Sequence, residues 1–492
     1  MSDTMAQQQP AASAIGSGKP KTAVVVIHGM GEQRPMDTIR RFVAALWTHD
    51  TAITGKRDNA VYSKPDTITG NFELRRLSTR NVPLETGQPK RVDFFEFYWA
   101  HLMTGNRVED VLGWLGDLLG RNPFSLPPRL VRYWFLATPL TLLGILTAVY
   151  SGAAVLFGDV LGALHLPAPS GGWAVSLSVL SLCFSYFVSR WIVPVAGDAA
   201  RYLSPTPNNV EARQKIREAG VDLLGKLHAS GRYDRIVLVG HSLGTVIGYD
   251  VLNYYWGRLD EAGLLAAHAE GSPTMAALTA LENAAGQLLH AAVDQKGVLR
   301  AAYRRAQRTY QDTLRACPAG TAPLWAVTDF VTLGCPLSKG EVLIARNAAG
   351  FRERKAAREF PTCPPVLEKD GQKDRIFRFS FPLTKPSRIP HFAAVFGPVV
   401  WTNIYFDTVG MVFGDPIAGS VRESFGDGIR DIKIAAAPFT FRHTAYWDDA
   451  GSTQPWQRAL RRAVNLKLLD ETTLWGEQEM APEVIADRLP TP

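Results

Sequence analysis

The pattern of apolar and polar positions along the chain changes repeatedly between a strand type and a helix type. β-branched and aromatic apolar runs of this kind predict buried strands. The first run begins at Thr22, and the others cover residues 92–99, 236–239, 330–333, 401–406 and 431–435. Helical spacing predicts helices over 37–47 and 210–228. Because strands alternate with helices, we predict an α/β fold with a doubly wound, mostly parallel sheet.

Two long apolar runs interrupt this alternation. Residues 134–157 carry no charged side chain, and residues 173–195 carry only Arg190, near the end of the run. A helix needs about 20 mostly apolar residues to cross a bilayer, so each run is long enough. We therefore predict a transmembrane helical hairpin over 134–196. A pair of buried core helices or a hydrophobic lid is the alternative, since Gly, Ser and Pro interrupt both runs.

The charges around these runs predict how the hairpin is oriented. The segment between the runs has Asp159 and His165 but neither Lys nor Arg. Basic residues flank the pair on both sides, at Arg121, Arg129, Arg132 and Arg201. Positive charge collects on the cytoplasmic side of a membrane, so both flanks are expected in the cytoplasm.

These features divide the chain into a sheet domain with two insertions. A disordered polar tail is predicted over 1–20 and a C-terminal tail over 455–492. The sheet domain is predicted in three parts, over 21–133, 197–258 and 323–454. The hairpin, 134–196, and a helical insertion, 259–322, separate these parts. The polar residues before residue 92 predict a loop or a small hairpin. The insertion 259–322 is rich in Ala, Leu, Arg and Gln, which favours helices that either cap a site as a lid or pack on the sheet edge.

Composition and charge limit the possible partners. The chain has 46% hydrophobic and 20% charged residues, which is typical of a globular protein. A formal charge of +7 would favour an anionic surface such as phospholipid headgroups, but the basic residues are scattered, so we expect no nucleic-acid partner. The four cysteines are too scattered for a disulfide framework and form no zinc motif, which predicts a reducing compartment and no metal. They are Cys183, Cys317, Cys335 and Cys363.

A nucleophile motif lies at the junction of a predicted strand and a predicted helix. Gly240, Ser242 and Gly244 form the pattern Gly-x-Ser-x-Gly directly after the apolar run 236–239. A serine in so tight a turn leaves no room for side chains two residues before and two after it. The helix that follows would place its dipole and free N–H groups beside a developing negative charge. The motif predicts a nucleophile elbow, and an ordinary glycine turn is the alternative.

The chain resembles the lipase and esterase branch of the α/β-hydrolase superfamily. The resemblance rests on VVVIHGMGEQ, VLVGHSLG, VTLGCPL and FRHTAYW, which span most of the chain outside the insertions. It implies a serine hydrolase whose oxyanion loop corresponds to His28, Gly29, Met30 and Gly31. The backbone N–H groups of Met30 and Leu243 are then the expected oxyanion donors. For the His28 imidazole we expect a structural role in the turn.

The resemblance also implies the chain order serine, acid, histidine for a catalytic triad. The histidines that follow Ser242 are His268, His290, His391 and His443. The first two lie in the helical insertion, and His391 precedes the acids near the late strands. His443, which follows the predicted strand 431–435, is therefore the expected general base. A packed loop histidine is the alternative.

Two aspartates after the strand 401–406 are candidates for the triad acid. Asp407 follows the strand directly, whereas Asp415 lies in GDPIAG, which resembles the acid loop of lipase-like sequences. We favour Asp415 and keep Asp407 as the alternative. Asp329 and Asp431 stand at strand starts, at the wrong edge for a site formed at the carboxyl ends of the strands.

These residues together predict a membrane-associated enzyme that cleaves an acyl ester, with a lipid-like ester as the substrate class. The predicted hairpin would hold the catalytic domain on the cytoplasmic side of a membrane. No metal or organic cofactor is expected, and no protein partner is indicated. A thioesterase or an acyltransferase would use the same triad. A membrane-anchored binding or scaffold protein that keeps the fold without turnover is the rival from another class.

Overall fold

The computed structural model describes residues 21–30, 34–50, 60–82, 90–103, 201–203, 207–316, 322–369, 377–384, 387–409, 413–447, 454–476 and 483–484, with a few isolated positions between them. The predicted tail 1–20 lies outside the described residues. Nearly all of the predicted hairpin 134–196 lies outside them as well.

One mixed sheet forms the centre of the fold. Its strands are β1 (Lys21–Ile27), β2 (Tyr62–Pro65), β3 (Arg75–Ser78), β4 (Val92–Phe97), β5 (Tyr233–His241), β6 (Val327–Leu333), β11 (Val400–Phe406), β14 (Arg430–Ile434) and β15 (Glu483–Val484). They lie in the order β15-β14-β11-β6-β5-β1-β4-β3-β2. The strands from β15 to β4 pair in parallel, and β3 pairs antiparallel with both β4 and β2. The carboxyl ends of the parallel strands therefore share one edge of the sheet.

Short strands outside this sheet form small antiparallel pairs. Their bounds are β7 (Glu368–Lys369), β8 (Phe377–Arg378), β9 (Ser380–Thr384), β10 (Ser387–Pro390), β12 (Thr408–Val409) and β13 (Phe413–Gly414). The pairs are β7 with β8, β9 with β10, and β12 with β13. The last pair lies between the end of β11 and Asp415.

Helices cover both faces of the central sheet. Their bounds are α1 (Asp37–Val43), α2 (Pro207–Ala229), α3 (Leu243–Trp256), α4 (Glu261–Ala267), α5 (Pro273–Leu289), α6 (Lys296–Arg315), α7 (Gly340–Leu343), α8 (Ala348–Ala356), α9 (Arg422–Phe425), α10 (Pro455–Val464) and α11 (Glu471–Trp475). A π-helical turn, Ala44–Thr48, continues α1, and 3-10 turns cover Ala100–Leu102 and Pro336–Lys339. Helices α2, α3, α5 and α6 contribute to one apolar core, and α1 and α10 contribute to the other.

The two cores explain why the central strands are continuous apolar runs. Successive side chains of a strand point to opposite faces, so Leu238 belongs to one core and Val239 to the other. Strands β4, β6 and β11 are buried at every position. A parallel strand covered on both faces needs apolar residues throughout, without the alternation of a half-exposed strand.

The insertion 259–322 contains helices α4, α5 and α6, and it packs on the body of the fold. Gln311 donates from Nε2 to the carbonyls of Thr328, at 2.7 Å, and Pro398, at 2.8 Å. Gln307 donates likewise to the carbonyls of Phe396 and Val399, at 2.9 Å each. These carbonyls lie near the amino ends of β6 and β11. The contacts fit packing on the sheet better than a lid over its carboxyl edge.

The structure contradicts the fold class as predicted, with a mostly parallel sheet and an inserted transmembrane hairpin. The sheet is mixed, because the polar stretch before β4 forms the antiparallel strands β2 and β3. Among the residues described, no helix has both the length and the apolar character that a bilayer crossing requires. The architecture is α/β-like. The apolar runs 134–157 and 173–195 on which the hairpin prediction rests lie almost wholly outside the described residues. A run without charges is compatible both with a bilayer and with a protein interior.

Candidate active site

Ser242 occupies a strained turn between β5 and α3. Its backbone has φ 52° and ψ −125°, a conformation that few non-glycine residues adopt. A Cβ atom on Gly240 would lie 2.7 Å from the carbonyl oxygen of Gly244. A Cβ atom on Gly244 would lie 2.5 Å from the carbonyl oxygen of His28 and would also collide with that of Ile27. Both glycines are therefore required by the close approach of the backbone on either side of the serine.

Three side chains that are far apart in the sequence meet at this turn. The Nε2 atom of His443 lies 2.9 Å from Oγ of Ser242. The Nδ1 atom of His443 lies 3.0 Å from each carboxylate oxygen of Asp415. An ionised carboxylate only accepts hydrogen bonds, so Nδ1 of His443 carries the proton and Nε2 is free to accept one from the serine hydroxyl. All three residues are buried, with exposed fractions of 2% for Ser242, 6% for His443 and 0% for Asp415.

Asp415 is held as an anion by its hydrogen-bond donors. Its Oδ1 atom accepts from the backbone N–H groups of Ile417 and Ala418, at 3.0 Å each. Its Oδ2 atom accepts from the hydroxyl of Tyr446 at 2.6 Å. Burial by itself raises the pKa of Asp415, but the hydrogen bond and charge of His443, together with the other donors, outweigh it and lower that pKa. The carboxylate is therefore charged at neutral pH.

Backbone hydrogen bonds tie the acid loop to the histidine loop. The N–H of Gly414 donates to the carbonyl of Thr440 at 2.6 Å, and the N–H of Arg442 donates to the carbonyl of Gly414 at 2.7 Å. Gly414 has φ 73°, and a Cβ atom there would collide with the carbonyl oxygen of Asp407. Asp415 directly follows Gly414, and His443 directly follows Arg442. The pairing of Gly414 with Arg442 therefore places Asp415 and His443 next to each other.

Asp407, the alternative acid, lies in a different environment. Its carboxylate pairs with Nζ of Lys433 at 2.7 Å, and its side chain is 44% exposed. The chain leaves the end of β11, passes through β12 and β13, and only then reaches His443 with Asp415. The structure thus brings Asp415 and not Asp407 to His443, and the catalytic role of Asp415 stays a prediction.

The loop predicted to hold the oxyanion passes directly against the serine. A Cβ atom on Gly29 would lie 3.0 Å from Cβ of Ser242. His28 is fully buried, accepts the N–H of Trp99 at Nε2 (3.3 Å), and has Nδ1 2.9 Å from the carbonyl oxygen of Gly29. Burial lowers the pKa of His28 to about 4, so its ring is neutral at neutral pH. These contacts agree with a structural role for the His28 imidazole.

The two predicted oxyanion donors flank Ser242. Leu243 is the first residue of α3, where backbone N–H groups lack acceptors within the helix. Met30 follows Gly29, whose Cβ, if it had one, would lie 3.0 Å from Cβ of Ser242. The backbone positions of Met30 and Leu243 fit the role of oxyanion donors, and that role stays a prediction. Gly31 of the same loop lies outside the described residues.

Three further residues support the triad, and sequence reasoning assigned no role to any of them. Tyr446 donates to Asp415, and its oxygen accepts the N–H of Phe406 at 3.2 Å. Gly334 has φ 62°, and a Cβ atom there would lie 2.9 Å from the Tyr446 ring and 3.1 Å from Oδ2 of Asp415. Tyr446 and Gly334 belong to FRHTAYW and VTLGCPL, so the segments were recognised but these positions in them were not.

His241 is the third supporting residue. Its Nε2–H donates to the backbone carbonyl of His443 at 2.8 Å, because a carbonyl can only accept. Burial, followed by the nearby His443, lowers the pKa of His241 to about 3. A neutral His241 therefore anchors the loop that carries His443. The sequence feature that could have identified His241 is its position inside the Gly-x-Ser-x-Gly pattern, directly before Ser242.

The other candidates from the sequence lie in structural contacts. Nε2 of His268 lies 2.8 Å from the hydroxyl of Tyr310, and the ring of His290 packs on Phe377. His391 accepts the N–H of Ala393 at Nδ1. The described cysteines, Cys335 and Cys363, are buried and form no disulfide with each other, and burial raises the pKa of Cys335 to about 12. Within the part of the chain that the structure describes, His, Cys, Asp and Glu side chains form no group able to hold a metal.

Comparison of the chain with protein-family models, with curated proteins and with solved structures gave no match. The resemblance to the lipase and esterase branch therefore rests on the sequence motifs alone.

Proposed function

We propose that this chain is a serine hydrolase that cleaves an acyl ester with Ser242, His443 and Asp415. The observation that carries the proposal is the continuous hydrogen-bonded series from Oγ of Ser242 through His443 to Asp415, with distances of 2.9 and 3.0 Å. Nucleophile, base and orienting acid within hydrogen-bond reach are the signature of covalent acyl transfer. The motifs that resemble lipases and esterases support the same class.

The proposed reaction gives each of these groups a step. Oγ of Ser242 attacks the ester carbonyl carbon while its proton passes to Nε2 of His443. Backbone N–H groups of Met30 and Leu243 stabilise the negative oxygen of the tetrahedral intermediate. The intermediate collapses to an acyl-serine, and His443 returns its proton to the leaving alcohol. Water then attacks the acyl-serine with His443 as the base, and this releases the acid and restores the serine.

The electrostatics of the site favour this sequence of proton transfers. When His443 takes the serine proton, the imidazolium lies against the Asp415 carboxylate, whose own pKa is lowered. The opposite charges stabilise the intermediate state in a site from which bulk water is largely excluded. Asp415 also keeps the proton on Nδ1, so that Nε2 faces the nucleophile.

The proposal is tested by Ser242→Ala in labelling and turnover assays. We expect a fluorophosphonate probe to label the wild type and the protein to release p-nitrophenol from short esters, and we expect Ser242→Ala to lose both activities. Ser230→Ala is the matched control. Ser230 precedes β5, whose 9 residues place it about 30 Å from Ser242.

The outcomes separate the rival classes. Full ester hydrolysis by Ser242→Ala would contradict the proposal. A folded wild type that neither reacts with the probe nor cleaves esters would favour the binding or scaffold class. The cellular location stays a prediction from the sequence.

A further inference from the structure

The loop between β14 and His443 presents aromatic side chains to solvent. Phe439 is 83% exposed and Phe441 is 57% exposed. Residues 435–441 read AAAPFTF and contain no charge. Large apolar side chains exposed together on one loop mark a surface that binds another apolar group more often than scattered single ones do.

These side chains lie beside the triad. The ring of Phe441 is 6.2 Å from the ring of His443, centroid to centroid. The ring of Phe439 packs edge-on against the half-buried Phe413 at 5.2 Å. Phe413 is two residues before Asp415. We call Phe413, Phe439 and Phe441 the aromatic rim. It combines one side chain from the acid loop with two from the histidine loop.

The exposed conformation of the rim is maintained by specific contacts. Phe439 has φ 61°, which is unfavourable for an aromatic residue. The hydroxyl of Thr440 donates to the carbonyl of Ala437 at 2.7 Å, and the backbone of Thr440 pairs with Gly414. The structure thus holds one exposed phenylalanine, Phe439, in an unfavourable backbone state on the loop that carries His443. Local strain of this kind is characteristic of functional loops.

We propose that the aromatic rim binds the acyl chain of the ester substrate while its carbonyl carbon lies at Ser242. The inference rests on the proposed function. Phe441 is the exposed partner of His443, so an acyl chain leaving the reaction centre on that side meets Phe441 first, then Phe439 and Phe413. An apolar chain gains free energy there by covering phenyl surface that is otherwise exposed to water. The rim therefore selects for longer acyl chains and contributes little to short ones.

The test compares p-nitrophenyl acetate with p-nitrophenyl octanoate. The variant is Phe439→Asn with Phe441→Ser, because asparagine tolerates a positive φ. For octanoate we expect kcat/KM to fall about tenfold, since the chain loses apolar contact area. For acetate we expect kcat/KM to stay within about twofold, because the triad is intact. Phe439→Asn alone is expected to give the same pattern with a smaller change.

Phe392→Ser is the matched control, since Phe392 is also an exposed phenylalanine, at 62%. Its neighbour His391 accepts a hydrogen bond from Trp256 at the far end of α3, and that 14-residue helix is about 20 Å long. This control should leave both substrates unchanged. An equal loss on acetate and octanoate, or an unchanged preference for octanoate, would overturn the inference while Ser242-dependent turnover still supports the proposed function. A wild type that cleaves neither ester would overturn both.

Discussion

Two aspartates are buried at opposite edges of the same sheet, and they have different kinds of partner. Asp329, at the start of β6, pairs with Arg235 at 2.7 Å and Arg308 at 2.6 Å. Asp415, beyond the carboxyl end of β11, contacts His443 at 3.0 Å. Arginine stays protonated, so the Asp329 network carries charge without exchanging a proton. An imidazole can both accept and donate a proton, so the Asp415–His443 pair has the chemistry that general acid–base catalysis uses.

The comparison shows that a buried carboxylate with a lowered pKa does not by itself mark a reactive site. Burial raises the pKa of Asp329, but the charges of Arg308 and Arg235 outweigh it and hold that pKa well below the usual range. The pKa of Asp415 is lowered as well, chiefly by His443. Two features distinguish the regions. The partner of Asp415 is an imidazole, whereas the partners of Asp329 are arginines, and the imidazole of His443 also contacts Ser242. We expect changes at Asp415 to affect turnover and changes at Asp329 to affect stability.

The largest effect is expected for Asp415→Asn. The amide no longer holds the proton on Nδ1 of His443 or stabilises the imidazolium, so kcat/KM for ester hydrolysis should fall about 10⁴-fold. Steady-state kinetics on a short p-nitrophenyl ester measures it. Asp407→Asn is the control and should stay within about twofold, since that carboxylate lies on the surface with Lys433. A comparable loss in both variants would contradict the assignment of the acid.

Asp329→Asn should lower the free energy of unfolding and leave turnover unchanged, the reverse of what we expect for Asp415→Asn. It leaves Arg235, which is 3% exposed, without its carboxylate partner, and breaking a buried pair in this way costs about 3–5 kcal/mol of unfolding free energy. Urea denaturation followed by circular dichroism measures the change. The folded fraction should keep wild-type kcat/KM. A specific loss of turnover with unchanged stability would show that Asp329 also belongs to the site.

The pH dependence of stability should reflect the same network. The folded-state pKa of Asp329 lies below its unfolded value, and that of Glu471, which pairs with Arg430 and Arg308, is lowered to about 2 against the effect of burial. A carboxylate of this kind stabilises the fold at every pH above its unfolded-state pKa of about 4. Its contribution is lost as the pH falls from there through the folded-state pKa.

Unfolding midpoints of the wild type, measured from neutral pH down to about pH 3, should therefore stay level to about pH 5 and fall below it. The fall should be shallower for Asp329→Asn, which has already lost one of these carboxylates. Parallel curves for the two proteins would contradict a role for Asp329 in acid stability.

Tyr446→Phe is expected to give the smallest effect. It removes the hydrogen bond to Asp415 and the acceptor of the Phe406 N–H, but it keeps the ring that packs against Gly334, so kcat/KM should fall about tenfold. Tyr303→Phe is the control, because it removes a buried hydroxyl that bonds the carbonyl of Phe396 and lies away from the triad. Both variants should lose similar stability, and only Tyr446→Phe should lose turnover. Equal turnover in the two would assign Tyr446 a purely structural role.

Much of the sheet could be predicted from local sequence. The apolar runs 92–99, 236–239, 330–333, 401–406 and 431–435 correspond to observed strands β4, β5, β6, β11 and β14. A strand covered on both faces needs a continuous apolar run, so its position is visible in the sequence. The same local logic left the antiparallel strands β2 and β3 as either a loop or a small hairpin, and the hairpin predicted over 134–196 lies almost wholly outside the described residues.

The turn at Ser242 is likewise a local property, because steric limits demand glycine at 240 and 244 whatever the rest of the chain does. The choice of Asp415 over Asp407 is not local. It depends on β12 and β13 carrying the chain back to His443, and on Gly414 pairing with Thr440 and Arg442. Those contacts join segments that are far apart in the sequence, and the local pattern of apolar and polar residues does not show which distant segments will pair. Strand identity and the tight turn therefore follow from neighbouring residues, whereas the hydrogen-bonded series from Ser242 through His443 to Asp415 forms only once distant loops are packed against each other.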